Sequence, residues 1–132
     1  MKYSVDKQEQ YSVVSVGEEK LDASIAPNLK SELINMHAEG VKNLILDMSS
    51  VKYTDSSGLS ALLVGNRLFR EDGGAFALVG LNDHVTKLVK ISQLDSVLTI
   101  ANSPEEAVDA IFLNQIEQDL NNGGAENENG VA

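Results

Sequence analysis

Two stretches, Asn43-Leu-Ile-Leu-Asp-Met48 and Thr54-Asp55-Ser56-Ser57-Gly58-Leu59, decide the fold. Leu44-Ile45-Leu46 is continuous rather than alternating, which predicts a strand covered on both faces, as in parallel or mixed sheets with crossover helices. Asp47 and the serines after it end that run, and Val51 and Tyr53 suggest a little more extended structure. From Ser57 to Glu71, Leu59, Leu62, Leu63 and Phe69 repeat at helical spacing, with Val64 and Leu68 widening the stripe. Two adjacent hydroxyls are therefore expected at the mouth of a helix, just past a buried strand.

Outward from this centre the pattern alternates strands with helices. Tyr3 and Val5 alternate with polar neighbours, so Lys2 to Lys7 reads as a short strand with one apolar side. Tyr11 to Val16 reads as a second strand, the two forming a hairpin. Leu29, Leu33, Met36 and His37 share one face of a helix from Pro27 to Glu39, with Pro27 in its first turn and Gly40 at its end. A lone His at such a position packs its ring beside the core.

Beyond the second helix, Asp72-Gly73-Gly74 reads as a plain turn, since no helix start or phosphate-binding sequence follows it. Ala75 to Val79 is a compact apolar strand. Asn82 or Asp83 caps a helix from His84 to Ile91 with Val85, Leu88 and Val89 inward. Val97 to Ile100 is the last strand. Ser103-Pro104-Glu105-Glu106 starts a last helix whose apolar stripe is Val108, Ile111, Phe112 and Ile116. From Asn121 onward there is almost nothing to bury, and disorder is expected. The order β-β-α-β-α-β-α-β-α gives an α/β domain with helices on a mixed sheet.

Composition narrows the chemistry. The chain of 132 residues suffices for one domain and one core. It contains no cysteine, which excludes disulfides, thiolate metal sites and Cys nucleophiles. Net charge is −10. Without Glu117, Asp119, Glu126 and Glu128 it is still −6, from 16 acids against 10 bases. Such a surface repels nucleic-acid phosphates and anionic lipid head groups. No apolar run approaches the roughly 20 residues of a membrane span, and the first ten residues lack the apolar centre of a secretion signal. These features predict a cytoplasmic protein with no nucleic-acid partner and no direct membrane insertion.

Asp55-Ser56-Ser57-Gly58 admits three readings. One residue caps the helix, a role that suits Asp and Ser alike. Alternatively a serine is a nucleophile. That requires a base and an oxyanion hole, yet the G-x-S-x-G elbow is absent because position 54 is Thr, and His37 and His84 are the only imidazoles. Third, a serine accepts phosphate. The dipole and free N–H groups of the helix start would then partly welcome a charge beside Asp55, and a partner fitted to a neutral hydroxyl would meet charge and bulk.

From Glu19 to Ile111 the chain resembles the STAS family, and within it the bacterial anti-sigma factor antagonists. The resemblance rests on Leu21-Asp22, Asn43-Leu-Ile-Leu-Asp47, Tyr53-Thr-Asp-Ser-Ser-Gly-Leu59, Gly73-Gly74, Val85-Thr-Lys-Leu88 and Leu94-Asp-Ser-Val-Leu98. It implies a STAS-like mixed sheet of four to five strands with about four helices packed mainly on one face, in a single domain over 1–116. Residues 117–132 form an acidic tail outside it.

The resemblance also implies a partner switch and no enzymatic activity, metal or cofactor. The unphosphorylated form binds an anti-sigma factor, often a serine kinase, and so frees a sigma factor. Phosphorylation switches binding off, and a PP2C-type phosphatase reverses it. The matching phosphoacceptor is Ser56, with Ser57 as the alternative. The implied partner surface comprises Leu21, Asp22, Tyr53, Thr54, Asp55, Ser57, Gly58 and Leu59, with the exposed side of the second helix. Asp55 would orient the hydroxyl or present charge, and Gly58 would keep the approach open. One departure is Glu19, which stands where many members carry glycine before Leu-Asp. The family favours a monomer that binds a dimeric partner. The same domain type also serves as a subunit of lipid-transport ATPase complexes or as a signalling scaffold, the alternative reading.

Overall fold

Two antiparallel strands, β1 (Tyr3–Lys7) and β2 (Ser12–Val16), open the chain, with Tyr3 opposite Val16 and Lys7 opposite Ser12. In the computed structural model, which describes residues 1–131 and side chains as far as Asn121, they are followed by β3 (Lys20–Leu21), α1 (Ala26–Ala38), β4 (Asn43–Asp47), β5 (Tyr53–Thr54), α2 (Ser56–Glu71), β6 (Ala75–Val79), α3 (Asp83–Ile91), β7 (Thr99–Ile100) and α4 (Pro104–Val131). The main sheet has the order β1-β2-β4-β6-β7. All its neighbours are parallel except the β1–β2 hairpin. β3 and β5 form a separate parallel ribbon.

The expected double coverage of the central strand is what makes Leu44-Ile45-Leu46 apolar throughout. Leu44 and Leu46 join Leu29, Leu33, Leu62 and Phe69 in the core between the sheet and α1 to α3. Ile45 points the other way, onto Ala77, Val79, Ala107 and Ile111 beneath α4. Three helices therefore cover one face and α4 covers part of the other. Gly65 lets α2 settle on the sheet: a Cβ there would lie 2.7 Å from the Phe76 ring and 2.9 Å from Leu33 Cδ1. At the far end of the same helix pair, His37 packs edge-on against Phe69, as expected of a core-side histidine, and its Nε2 lies 2.5 Å from Asp72 Oδ2.

Several expectations are corrected. All five residues of β1 are exposed: at this edge of the sheet the contact to a helix is a polar one, the Tyr3 hydroxyl donating to Glu32 of α1 at 2.7 Å. The last strand is shorter than 97–100: a 3₁₀ turn at Leu94–Ser96 holds the amides of Val97 and Leu98 on the Leu94 carbonyl, leaving only Thr99 and Ile100 to pair. On α4 the buried line runs through Ala107 and Ile111 to half-buried Asn114, whose amide donates to the carbonyls of Gly73 and Gly74. Phe112 and Ile116 are turned outward, since a single helix on this face needs only one narrow stripe. The backbone of α4 is helical as far as Val131, and Ala132 lies outside the described residues.

Candidate functional site

The strand-to-helix turn is built on the small β3–β5 ribbon, which brings the Leu21-Asp22 loop against the serine segment. Leu21 and Thr54 are paired in register. Thr54 Oγ1 donates to the Leu21 carbonyl at 2.9 Å, and the amides of Lys52 and Tyr53 both donate to the Glu19 carbonyl. Gly58 sits in the first turn of α2 against this ribbon. A Cβ there would run into the Leu21 carbonyl and Thr54 Oγ1. The glycine thus brings helix and ribbon together rather than clearing a path from outside.

Asp55 is the α2 cap. Its Oδ1 accepts from the amides of Ser57 at 2.9 Å and Gly58 at 3.1 Å. The cap is therefore Asp55 and not Ser57, and α2 begins at Ser56. This narrows the electrostatic expectation: of the N–H groups at the helix start, those of Ser57 and Gly58 already serve a carboxylate. Ser56, outside the cap, is exposed, and Ser57 is half-buried. Among the described residues the Ser56 hydroxyl makes no hydrogen bond. Ser56, Ser57 and Ser60 form one wall of a shallow depression whose other wall is Ala26, Pro27 and Lys30 of α1.

The remaining candidate positions divide into a surface and its supports. Tyr53 is exposed and stacks on His84 with ring centroids 5.4 Å apart. Asn82 fastens α3 beside β5, donating to the Lys52 carbonyl while capping α3 through the Val85 amide. Asp22 is half-buried and accepts from both the hydroxyl and the amide of Ser24 at 2.6 and 3.0 Å. The Ser24 hydroxyl bond, then the Ser24 amide bond, hold its carboxyl below the ordinary aspartate range, with Lys20 helping. Leu21 and Thr54 are wholly excluded from solvent, Leu59 nearly so, and Gly58 is buried. In this conformation these four are closed to contact from outside, and what they shape is the backbone of the turn.

Sequence reading missed Lys30, Ser60 and the Tyr53–His84 pair as parts of this neighbourhood. No local pattern marks them: each is brought in from another helix face or another element. The nucleophile reading loses its geometry. His37 does have an acid, Asp72, but that pair lies at the opposite end of α2, about 24 Å along a helix of this length. His84 stacks on Tyr53 and has no carboxylate bonded to it among the described residues.

The family profile described as the STAS domain matches residues 2–107. A candidate anti-sigma factor antagonist of Bordetella bronchiseptica, BtrV, is 30% identical over 90 residues, which cover 68% of this chain and 78% of that protein. An anti-sigma-B factor antagonist of Staphylococcus aureus is 24% identical over 98 residues, 74% of this chain and 90% of the relative. Among solved structures, the unphosphorylated anti-sigma factor antagonist SpoIIAA superposes with a TM-score of 0.70 at 20% identity, covering 83% of this chain and 96% of that one. The phosphorylated form of SpoIIAA from Bacillus gives 0.64 at 20% identity, covering 83% and 99%. These two likenesses are likenesses of fold.

Proposed function

Because the chain belongs to the STAS domain family, we propose that it is an anti-sigma factor antagonist switched by phosphorylation of Ser56. The observation that carries this reading is the exposed, unbonded hydroxyl of Ser56 in the first turn of α2, next to a cap that is already complete. The unphosphorylated surface around Asp22, Tyr53, Asp55 and Ser57 binds an anti-sigma factor of the serine-kinase type and releases a sigma factor. Leu21, Thr54, Gly58 and Leu59 keep that surface in shape. The protein is itself not an enzyme and works in the cytoplasm as a monomer; residues 1–116 are the working unit and 117–132 a tail outside it.

In the modification, Ser56 Oγ bonds to the γ-phosphorus of ATP as the bond from that phosphorus to the β–γ bridging oxygen breaks. ADP leaves, and the hydroxyl proton passes to a base on the kinase. A PP2C-type phosphatase restores the hydroxyl by hydrolysis. The phosphoryl group adds nearly two negative charges to a surface that Asp55 already makes acidic. Losing a few kcal/mol of binding lowers affinity by factors of about 100 to 1,000.

The test is incubation with the cognate kinase and ATP, followed by peptide mapping. One phosphorylated peptide with the group on Ser56 is expected, together with at least tenfold weaker binding of the anti-sigma factor by Ser56→Asp. Phosphate on another residue, Ser57 included, or unchanged binding by Ser56→Asp, overturns the assignment.

A further inference from the structure

Resting on Ser56 as the acceptor, a second question concerns what holds the phosphoryl group once it is there. The usual helper, a helix start with free amides, is mostly spent on both sides of the depression, the Ser56 amide alone having no acceptor on α2 among the described residues. On α2, Asp55 occupies the Ser57 and Gly58 amides, and the Leu59 amide bonds the Asp55 carbonyl. On α1, the amides of Ala26, Asn28 and Leu29 go to the carbonyls of Asp22 and Ile25, and Pro27 has none. The Asp55 carboxylate next door repels a dianion.

One group facing this space has the opposite character. Lys30 lies on α1 across the depression from Ser56 and Ser60. It is half-buried, and no carboxylate pairs with it among the described residues. One turn away in either direction it meets Ala26, Pro27, Leu33 and Ile34, so its own helix supplies no acid. A lysine with no carboxylate partner is left free to meet a phosphate brought opposite it.

We propose that Lys30 is the counter-charge for phosphorylated Ser56. The ammonium takes up the phosphoryl oxygens across the depression, with the Ser60 hydroxyl as a further donor. The modified surface therefore differs from the resting one at two places: a dianion is added at α2, and the Lys30 charge on α1 is withdrawn from any partner that would have met it. The rearrangement is confined to one side chain, because Lys carries rotatable bonds enough to swing without moving α1.

The test uses the full chain with phosphoserine incorporated at position 56 during synthesis, so that it needs no kinase and no partner. The phosphorus resonance is titrated through pH 5–8. The charged groups around it are Lys30 on α1, Asp22 on the loop into α1, Asp55 at the α2 cap, and Lys20 on β3, which lies close enough to Asp22 to act on it. The acids raise the second phosphate ionisation and the lysines lower it. We expect Lys30→Gln to raise that ionisation by about half a pH unit or more, Lys30→Arg to restore it, and Lys90→Gln on α3 to leave it alone. Identical titration of Lys30→Gln and the parent, or a rise with Lys20→Gln in place of Lys30→Gln, overturns the proposal. If the kinase instead modifies another residue, the acceptor assignment fails while the titration still reads the Lys30 contact.

Discussion

The Thr54 hydroxyl donates to the Leu21 carbonyl at 2.9 Å, in a place that solvent does not reach. This bond joins the two ends of the site, 33 residues apart in sequence, across a ribbon two residues wide. A ribbon so short has little hydrogen bonding of its own, so side chain and backbone have to finish the junction together.

Thr54→Val keeps the shape and removes the donor. The buried Leu21 carbonyl is left with only the longer contact from the Asp55 amide at 3.4 Å. We expect a loss of about 1–2 kcal/mol in urea unfolding, and partial recovery with Thr54→Ser. An unchanged midpoint for Thr54→Val counts against this bond as the clamp.

Gly58→Ala places a methyl group against the Leu21 backbone carbonyl, which has no rotamer in which to escape. A cost of about 1–3 kcal/mol is expected by the same unfolding measurement, with weaker anti-sigma factor binding as the loop shifts outward. Full stability in this variant would show that helix and ribbon are not closely seated at Gly58.

Asp55 does two jobs that substitution separates. Asp55→Ala removes the cap and is expected to lower stability by about 1 kcal/mol. Asp55→Asn keeps a capping oxygen while removing the charge, so it is expected to retain most of the stability. Any binding defect it shows then reports the charge alone. Equal destabilisation by both variants, measured by calorimetry, would contradict the capping role.

Asp22 titrates below the ordinary aspartate range because the Ser24 hydroxyl and amide both donate to its charged form. The folded value lies under the unfolded one, so its contribution to stability is present above the unfolded pKa and is lost as pH falls through the folded value. Ser24→Ala removes the larger cause and is expected to raise the Asp22 ionisation, read by carboxyl-carbon NMR. No movement in that titration would remove Ser24 as the cause.

Much of this architecture is legible locally. The strand at 75–79, the α2 stripe and the capping chemistry at Asn82 and Ser103 follow from short-range patterns, and the structure keeps them. Ser103 caps the Glu106 amide while Glu106 reaches back to the Asn102 amide, a reciprocal arrangement set within five residues. Where expectation failed, the deciding contact was distant. Tyr3 and Val5 alternate like a half-buried strand, yet both stay exposed, and Tyr3 meets α1 only through the hydrogen bond of its hydroxyl to Glu32. Phe112 and Ile116 fit a helical stripe, but Asn114 turns that helix by bonding the Gly73-Gly74 turn.

The sequence by itself determined that a buried strand leads to a capped helix with serines at its start, because periodicity and cap chemistry act over a few residues. Tertiary structure decided which of those residues face outward. Packing of the Leu21 ribbon against Gly58 and Thr54 consumes the inner side of the turn, while Asp55 takes up the Ser57 and Gly58 amides. What remains exposed is the Ser56 hydroxyl, with Lys30 brought opposite it by a different helix.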